Sequence, residues 1–288
     1  MLDYHKTRAF DSGDIQQSWS RRDTMLYALG VGLALDPLDT GELRYVYEKD
    51  LHALPTMAAT LASPGFWMRD RAELGIDAMK LVHGEQSVTI HSPLPSEGTA
   101  TGRTRVTRVV DKGAGKGAII HAVKELTDSA SGRHLATVES VYFGRGDGGF
   151  STASGNGDEP APPLPAVPQS PPSRVIELPT RPEQALVYRL SGDMNPLHAD
   201  PAIAARLGLE KPILHGLATW GLAGRAIASQ FLAHQPGRLK ALKARFSAPV
   251  YPGETLRLDC WEQTDGLAFQ LAAPARGVIV LANGLACY

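Results

Sequence analysis

Cysteine is nearly absent from this chain: Cys260 and Cys287 are the only two in 288 residues, and no metal-type spacing links them. That excludes a disulfide framework and a Cys-rich zinc module. It suits a reducing compartment, so a cytoplasmic setting is expected. An excess of one charge is also lacking. Lys and Arg number 29 against 30 Asp and Glu, a formal charge of -1. Without a basic footprint, no nucleic-acid partner and no anionic membrane surface is expected. Long apolar runs are missing too. The opening MLDYHKTRAFDSGDIQQSW has no apolar signal core. The most apolar helical window, 213–233, holds His215 and Arg225 and is rich in Gly and Ala. It reads as a buried helix, not as a membrane span. The final LACY is neither a peroxisomal nor a reticulum-retention address.

What is present is a chain with a hydrophobic fraction of 43%, enough to bury a sizeable core. Residues 144–173 break it in two. Gly and Ser dominate the first part of that stretch and Pro the second, so it reads as a linker, flexible and then extended. The expected units are 1–143 and 174–288. They share three stretches in the same order. MLYALGVG (25–32) is similar to LVYRLSGD (186–193), LPTMA (54–58) to KPILH (211–215), and SPLPSEGT (92–99) to APVYPGET (248–255). The shared order argues for a duplicated unit.

Each unit reads as helix followed by antiparallel sheet, an α+β class. In the first, 101–110, 116–127 and 133–144 are β-branched segments separated by the turn signals DKGAG and DSASG. In the second, 240–250, 254–264, 267–275 and 277–288 repeat the pattern. Asp200-Pro201 should cap a short helix that Gly208 stops. A longer helix is expected from about Ile213 to Leu232, apolar on nearly every face and so buried on nearly every side. The first unit should have a shorter one, because Ser63-Pro64-Gly65 interrupts it.

Chemistry concentrates in YRLSGDMNPLHADP (188–201). Asp193 and His198 stand five apart with Pro196 between them, which is not a regular helical spacing. Gly192 and Pro196 imply a fixed loop, with Asn195 as N-cap. A carboxylate and an imidazole aimed at one water suit acid–base work. Taken singly, these residues read as readily as turn and cap residues. KPILHGLATWG (211–221) adds the start of the buried helix, with Pro212 as a start signal. Gly216 falls in its first turn, where N–H groups lack intrahelical partners and the helix dipole favours negative charge. The glycine either admits a substrate carbonyl or relieves crowding against the sheet.

Together these two stretches closely resemble the signature of the hydratase 2 family, the MaoC-like, R-specific enoyl-CoA hydratases. The likeness is to the two-domain form, similar to the hydratase 2 part of peroxisomal multifunctional enzyme type 2. It implies a tandem hotdog fold, in which a helix is wrapped by an antiparallel sheet in each half. It implies an acyl-CoA substrate, no metal or redox cofactor, and a homodimer. Asp193 and His198 would be the catalytic dyad that adds water across the 2,3 double bond of a trans-2-enoyl-CoA. Asn195 would orient them, and the Gly216 N–H would bind the thioester oxygen. Two other readings use the same residues: dehydration of a carrier-protein-linked, branched or dicarboxylic 3-hydroxyacyl thioester, and a non-catalytic acyl-CoA-binding subunit. The first unit has Gly32 where Asp193 aligns and DPLD (36–39) where PLHA aligns, so one active site per chain is expected. Residues 81–95 resemble a substrate-side strand, and the break at Pro64 is expected to open a groove for an acyl tail.

The remaining motifs say less. GAGKG (113–117) lacks P-loop spacing and reads as a hairpin turn. His83, His91, His121 and His134 have no metal-ligand spacing. Lys243 and Arg245 either meet a CoA phosphate or line a solvated strand face.

Overall fold

Alternating patterns become strands wherever one row of side chains finds the core. In the computed structural model, which describes residues 1–288 apart from the side chains of residues 153 and 154, the strands are β1 (Asp11–Trp19), β2 (Leu81–Ile90), β3 (Gly98–Asp111), β4 (Ala118–Asp128), β5 (His134–Gly144), β6 (Arg174–Pro179), β7 (Ala241–Phe246), β8 (Thr255–Gln263), β9 (Gly266–Ala273) and β10 (Val278–Cys287). On β4, Ala118, Ile120, Ala122 and Leu126 form the inward row. Lys124 sits in the same row, buried, and its Nζ donates to the carbonyls of Ala58 (3.0 Å), Ala59 (3.1 Å) and Leu61.

All the strands join one antiparallel sheet in the order β1-β3-β4-β5-β2-β7-β10-β9-β8-β6. The right half repeats the left in reverse. The two meet where β2 pairs with β7, and Ser87 lies opposite Lys243, 156 positions on. The same offset separates Ser92–Thr99 from Ala248–Thr255, so the register shows the duplication that the sequence suggests. This is the expected double hotdog. The edge strands β1 and β6 went unread, because Gly, Asp and Gln dilute the first and the second is short.

Four helices matter for the site: α1 (Arg21–Gly30), α2 (Gln184–Tyr188), α3 (Pro201–Arg206) and α4 (Gly216–Gln230). Every residue of α4 from Ala218 to Ala228 is buried. It packs on β2, β6, β7 and β10 near the seam of the sheet. Two of its glycines face the other half: a Cβ on Gly221 would meet Val31 at 2.7 Å, and one on Gly224 would meet Thr56 at 2.8 Å. Arg225 also faces that half. It donates to the Val31 carbonyl (3.0 Å) and to Glu42 (3.1 Å), and both side chains are buried.

The helix starts at Gly216 and not near Pro212, since Leu214 N–H still bonds the Val250 carbonyl at 2.8 Å. The first half's counterpart is only a 3-10 turn, Pro55–Ala59. Its end carbonyls are taken by Lys124, whose amine burial pushes down to about 7.

The expected linker, 144–173, includes residues 153 and 154, whose side chains lie outside the described residues. Its Pro-rich part is a strap tied to the sheet. The Asp158 carboxylate accepts from Val109 N–H (2.7 Å) on β3. Asn283 on β10 donates to the Pro165 carbonyl (3.0 Å), and Trp261 on β8 donates to that of Ser170 (2.7 Å).

Candidate active site

A loop and a helix start meet here. Gly192 takes φ 115, a left-handed value that ends the turn after α2. The Asp193 carboxylate then accepts from Asn195 N–H (3.1 Å), and the Asn195 side chain caps the next turn through Leu197 N–H (3.1 Å). Pro196 fixes φ at the first position of that turn. His198 emerges at its end, 8% exposed. Asp200 caps α3 through Ala202 N–H at 2.8 Å, as expected. Asn195 thus builds the loop through its cap.

His198 Nδ1 lies 2.8 Å from the Ile213 carbonyl. A carbonyl only accepts, so this nitrogen carries the proton and Nε2 keeps its lone pair. Burial holds the His198 pKa below the ordinary 6.5, against the raising effects of the Ile213 bond and of Asp193. The ring is therefore a neutral base at physiological pH.

His215 is the residue that sequence reasoning passed over, although it lies inside the quoted KPILHG. Its Nε2 donates to the Asp193 carbonyl at 3.1 Å, so it clamps the loop that carries the acid. Its Nδ1 is buried without a partner among the described residues. Its ring stacks on His198 with centroids 3.6 Å apart. Burial, with His198 adding to it, pushes its pKa down to about 3. One ligand atom each from Asp193, His198 and His215 lie within 4.8 Å of one another. That spacing fits one shared water, and these three are also the groups that could hold a metal ion.

Gly216 opens α4 beside them. Its own N–H and those of Leu217 and Ala218 find no acceptor among the described residues; the first helical bond is Thr219 N–H to His215 at 3.0 Å. Such a terminus attracts developing negative charge. A Cβ on Gly216 would lie 3.2 Å from the Phe246 ring, so crowding also operates here.

The first half supplies a wall. The Phe246 ring meets His83 of β2 edge-on at 4.9 Å, and His83 stacks on Tyr142 of β5 at 5.0 Å. Burial raises the Tyr142 phenol, and the Asp193 charge adds to that rise. Burial pushes His83 down to about 4.

Two expectations change. Beside Pro64 lies a pocket of only about 40 Å³, room for about one water, and not an open groove. Arg245 is exposed opposite Glu85, and Leu242 and Ala244 point the other way, into the core. Alternation along β7 thus sets Lys243 and Arg245 on the sheet face away from Phe246 and the candidate site.

The first half shows why it lacks the same groups. Gly32 has φ 85, and a side chain there would meet Gln184 at 3.2 Å and Arg225 at 3.5 Å. Asp36 and Asp39 are spent capping Leu38, Gly41 and Glu42.

Comparison with known proteins finds relatives of both halves. The model of the MaoC like domain matches residues 164–283, and that of the MFE-2 hydratase 2 N-terminal domain matches 18–146. The 3-hydroxyacyl-thioester dehydratase Y of Mycobacterium tuberculosis is 41% identical over 256 residues, 87% of this chain and 84% of that protein. The peroxisomal enoyl-CoA hydratase 2 of Arabidopsis thaliana is 35% identical, over 94% of this chain and 90% of that protein. The crystal structure of a MaoC-like dehydratase from Phytophthora capsici superposes with a TM-score of 0.85 at 32% identity, covering 100% of this chain and 99% of that one. This chain therefore belongs to the MaoC-like hydratase 2 family of hydro-lyases.

Proposed function

We propose that this protein reversibly hydrates trans-2-enoyl-CoA thioesters to (R)-3-hydroxyacyl-CoA, with Asp193 and His198 as the catalytic dyad. The observation that carries this reading is the neutral His198, its Nδ1 tied to the Ile213 carbonyl, with one of its ring nitrogens within 4.8 Å of a carboxylate oxygen of Asp193 and a ring nitrogen of His215. A water held between Nε2 and the Asp193 carboxylate loses a proton to His198 as its oxygen bonds to C3. Electron density moves through the double bond onto the thioester oxygen. The Gly216 N–H, at the uncapped start of α4, stabilises that oxygen. The proton passes through the dyad to C2, and both groups return to their starting state. Atoms balance with one water, and no electrons are transferred, so the step needs no metal and no redox cofactor.

The test is turnover of crotonyl-CoA and longer enoyl-CoAs by the purified chain, with the chirality of the product determined. We expect the (R) alcohol. An (S) product, or no turnover at any chain length, would sink the reading.

The relative named as a 3-hydroxyacyl-thioester dehydratase favours a second reading, the same chemistry run toward water loss on another carrier. Rates on matched CoA and acyl-carrier-protein substrates separate the two. The first half acts as wall and not as catalyst, which leaves one active site per chain. We also propose that two chains form a homodimer, to be read as twice the chain mass in sedimentation. Both cysteines are free, which fits a cytoplasmic protein.

A further inference from the structure

A cavity of about 460 Å³ lies at the other end of α4, away from the candidate active site. Its walls come from both halves: Pro55, Ile90 and Leu94 from the first, Pro236 and Arg238 from the second. The two-fold relation of the sheet identifies the place. Ile90 stands 156 positions before Phe246, and Pro55 stands 157 before Pro212, the offset that aligns LPTMA with KPILH. The cavity is thus the first half's counterpart of the catalytic pocket. It has lost the acid and the base, since Gly32 stands where Asp193 aligns and DPLD (36–39) where PLHA with His198 aligns, yet a cavity of about 460 Å³ remains.

Its charge is one-sided. Arg44, His52, His234 and Arg238 line it, and no Asp or Glu does. Among the described residues neither Arg44 nor Arg238 forms an ion pair with an acidic side chain. The Nδ1 atom of His234 is buried without a partner. So is the hydroxyl of Tyr45, a residue 1% exposed whose ring lies 6.5 Å from His52 and 6.3 Å from His234. Buried donors left unbonded cost stability unless a ligand or water completes them. The rest of the wall is mostly aliphatic and proline, with Ser96 and Gln235 as its neutral polar residues.

We infer that this cavity is a second, non-catalytic binding site for an apolar chain with an anionic head. The aliphatic wall would take the chain, and Arg44 and Arg238 would hold the head. Two sources share that chemistry: a free fatty carboxylate and an acyl-CoA. The inference rests on the cavity and its charge, independently of the hydration reading.

The test uses the full chain and calorimetric titration with dodecanoate, dodecanoyl-CoA and CoA alone. Neither acyl probe has a double bond to hydrate. The double variant Arg44→Glu/Arg238→Glu alters two exposed side chains and should fold normally. We expect at least one acyl probe to bind the native chain, and the double variant to weaken it at least tenfold while crotonyl-CoA turnover stays unchanged. Loss of dodecanoate binding assigns the free carboxylate. Loss of one of two dodecanoyl-CoA sites assigns the thioester. Arg238→Gln alone should give an intermediate affinity. If both acyl probes bind the native chain and the double variant equally, or neither binds the native chain, the inference is wrong.

Discussion

The imidazoles of His198 and His215 stack with their centroids 3.6 Å apart and their planes 26° from parallel, and each ring gives one N–H to a backbone carbonyl. Two cations at that distance would repel strongly in a buried site, so the stack is built for neutral rings. This fixes the expected pH response. The His198 pKa is below 6.5, so the acid limb of kcat/KM should lie below pH 6.5. A limb above pH 7 would contradict the assigned base.

Stability should follow the same groups. His215 titrates at about 3 and His83 at about 4 in the folded chain, against 6.5 when unfolded. Below pH 6.5 the unfolded chain binds protons that the folded chain refuses. Stability should therefore fall as pH drops from 6.5 toward 4, by about 1.4 kcal/mol per pH unit for each such group. Urea midpoints at pH 7 and pH 5 read this directly. His83→Phe, which keeps the ring stack, should flatten the slope.

Replacing the dyad should separate chemistry from folding. Asp193→Asn and His198→Gln each keep the shape of the side chain, and each should lose about 100-fold or more in kcat. Melting temperatures should change little. Near-native turnover in either variant would remove that residue from the dyad. His215→Phe keeps the stack but drops the bond to the Asp193 carbonyl, so the loop loses its clamp. It should lower kcat more than it raises KM.

The seam between the halves depends on Arg225 and Glu42. Glu42→Gln leaves a buried guanidinium without its counter-charge, which costs about 3–5 kcal/mol in comparable pairs. The melting temperature should fall by about 10 °C. Converting both partners, Glu42→Leu with Arg225→Met, should recover much of the loss. If Glu42→Gln melts like the parent, this pair does not hold the seam.

Much of this was legible in the sequence, for identifiable reasons. Strands β3, β4 and β5 follow from alternation and Gly turns, and Asp193, Asn195 and His198 from a loop whose Gly and Pro fix its path. The halves could be aligned because three similar stretches recur in the same order, and at the seam Ser87 pairs with Lys243, the position 156 residues on that the alignment of Ser92–Thr99 with Ala248–Thr255 makes its counterpart. What stayed hidden depends on tertiary contact. His215 sits three residues after Pro212, the helix-start signal, and only the Leu214–Val250 bond shows that the helix begins after it. His83 and Tyr142 reach the site through the pairing of two halves, and local pattern carries no trace of that. The open groove expected at Pro64 is closed because the break in the helix is filled by Lys124 and the 3-10 turn it caps.

Gly216 has two physical reasons to lack a side chain, and they can be separated. An added Cβ would lie 3.2 Å from Phe246 Cε1 and 3.4 Å from Cδ1, tight enough to shift the ring. The same Cβ would also stand beside the N–H that is proposed to hold the thioester oxygen. If crowding against Phe246 is the whole reason, Phe246→Leu should restore both stability and kcat to Gly216→Ala. If close approach of the substrate matters, the added methyl still interferes once the ring is gone. We expect the second outcome: Gly216→Ala loses about tenfold in kcat, consistent with a misplaced oxyanion donor. The double variant should regain the melting temperature but not the rate. Full recovery of kcat in the double variant would reduce Gly216 to a packing residue and leave the oxyanion role to Leu217 or Ala218.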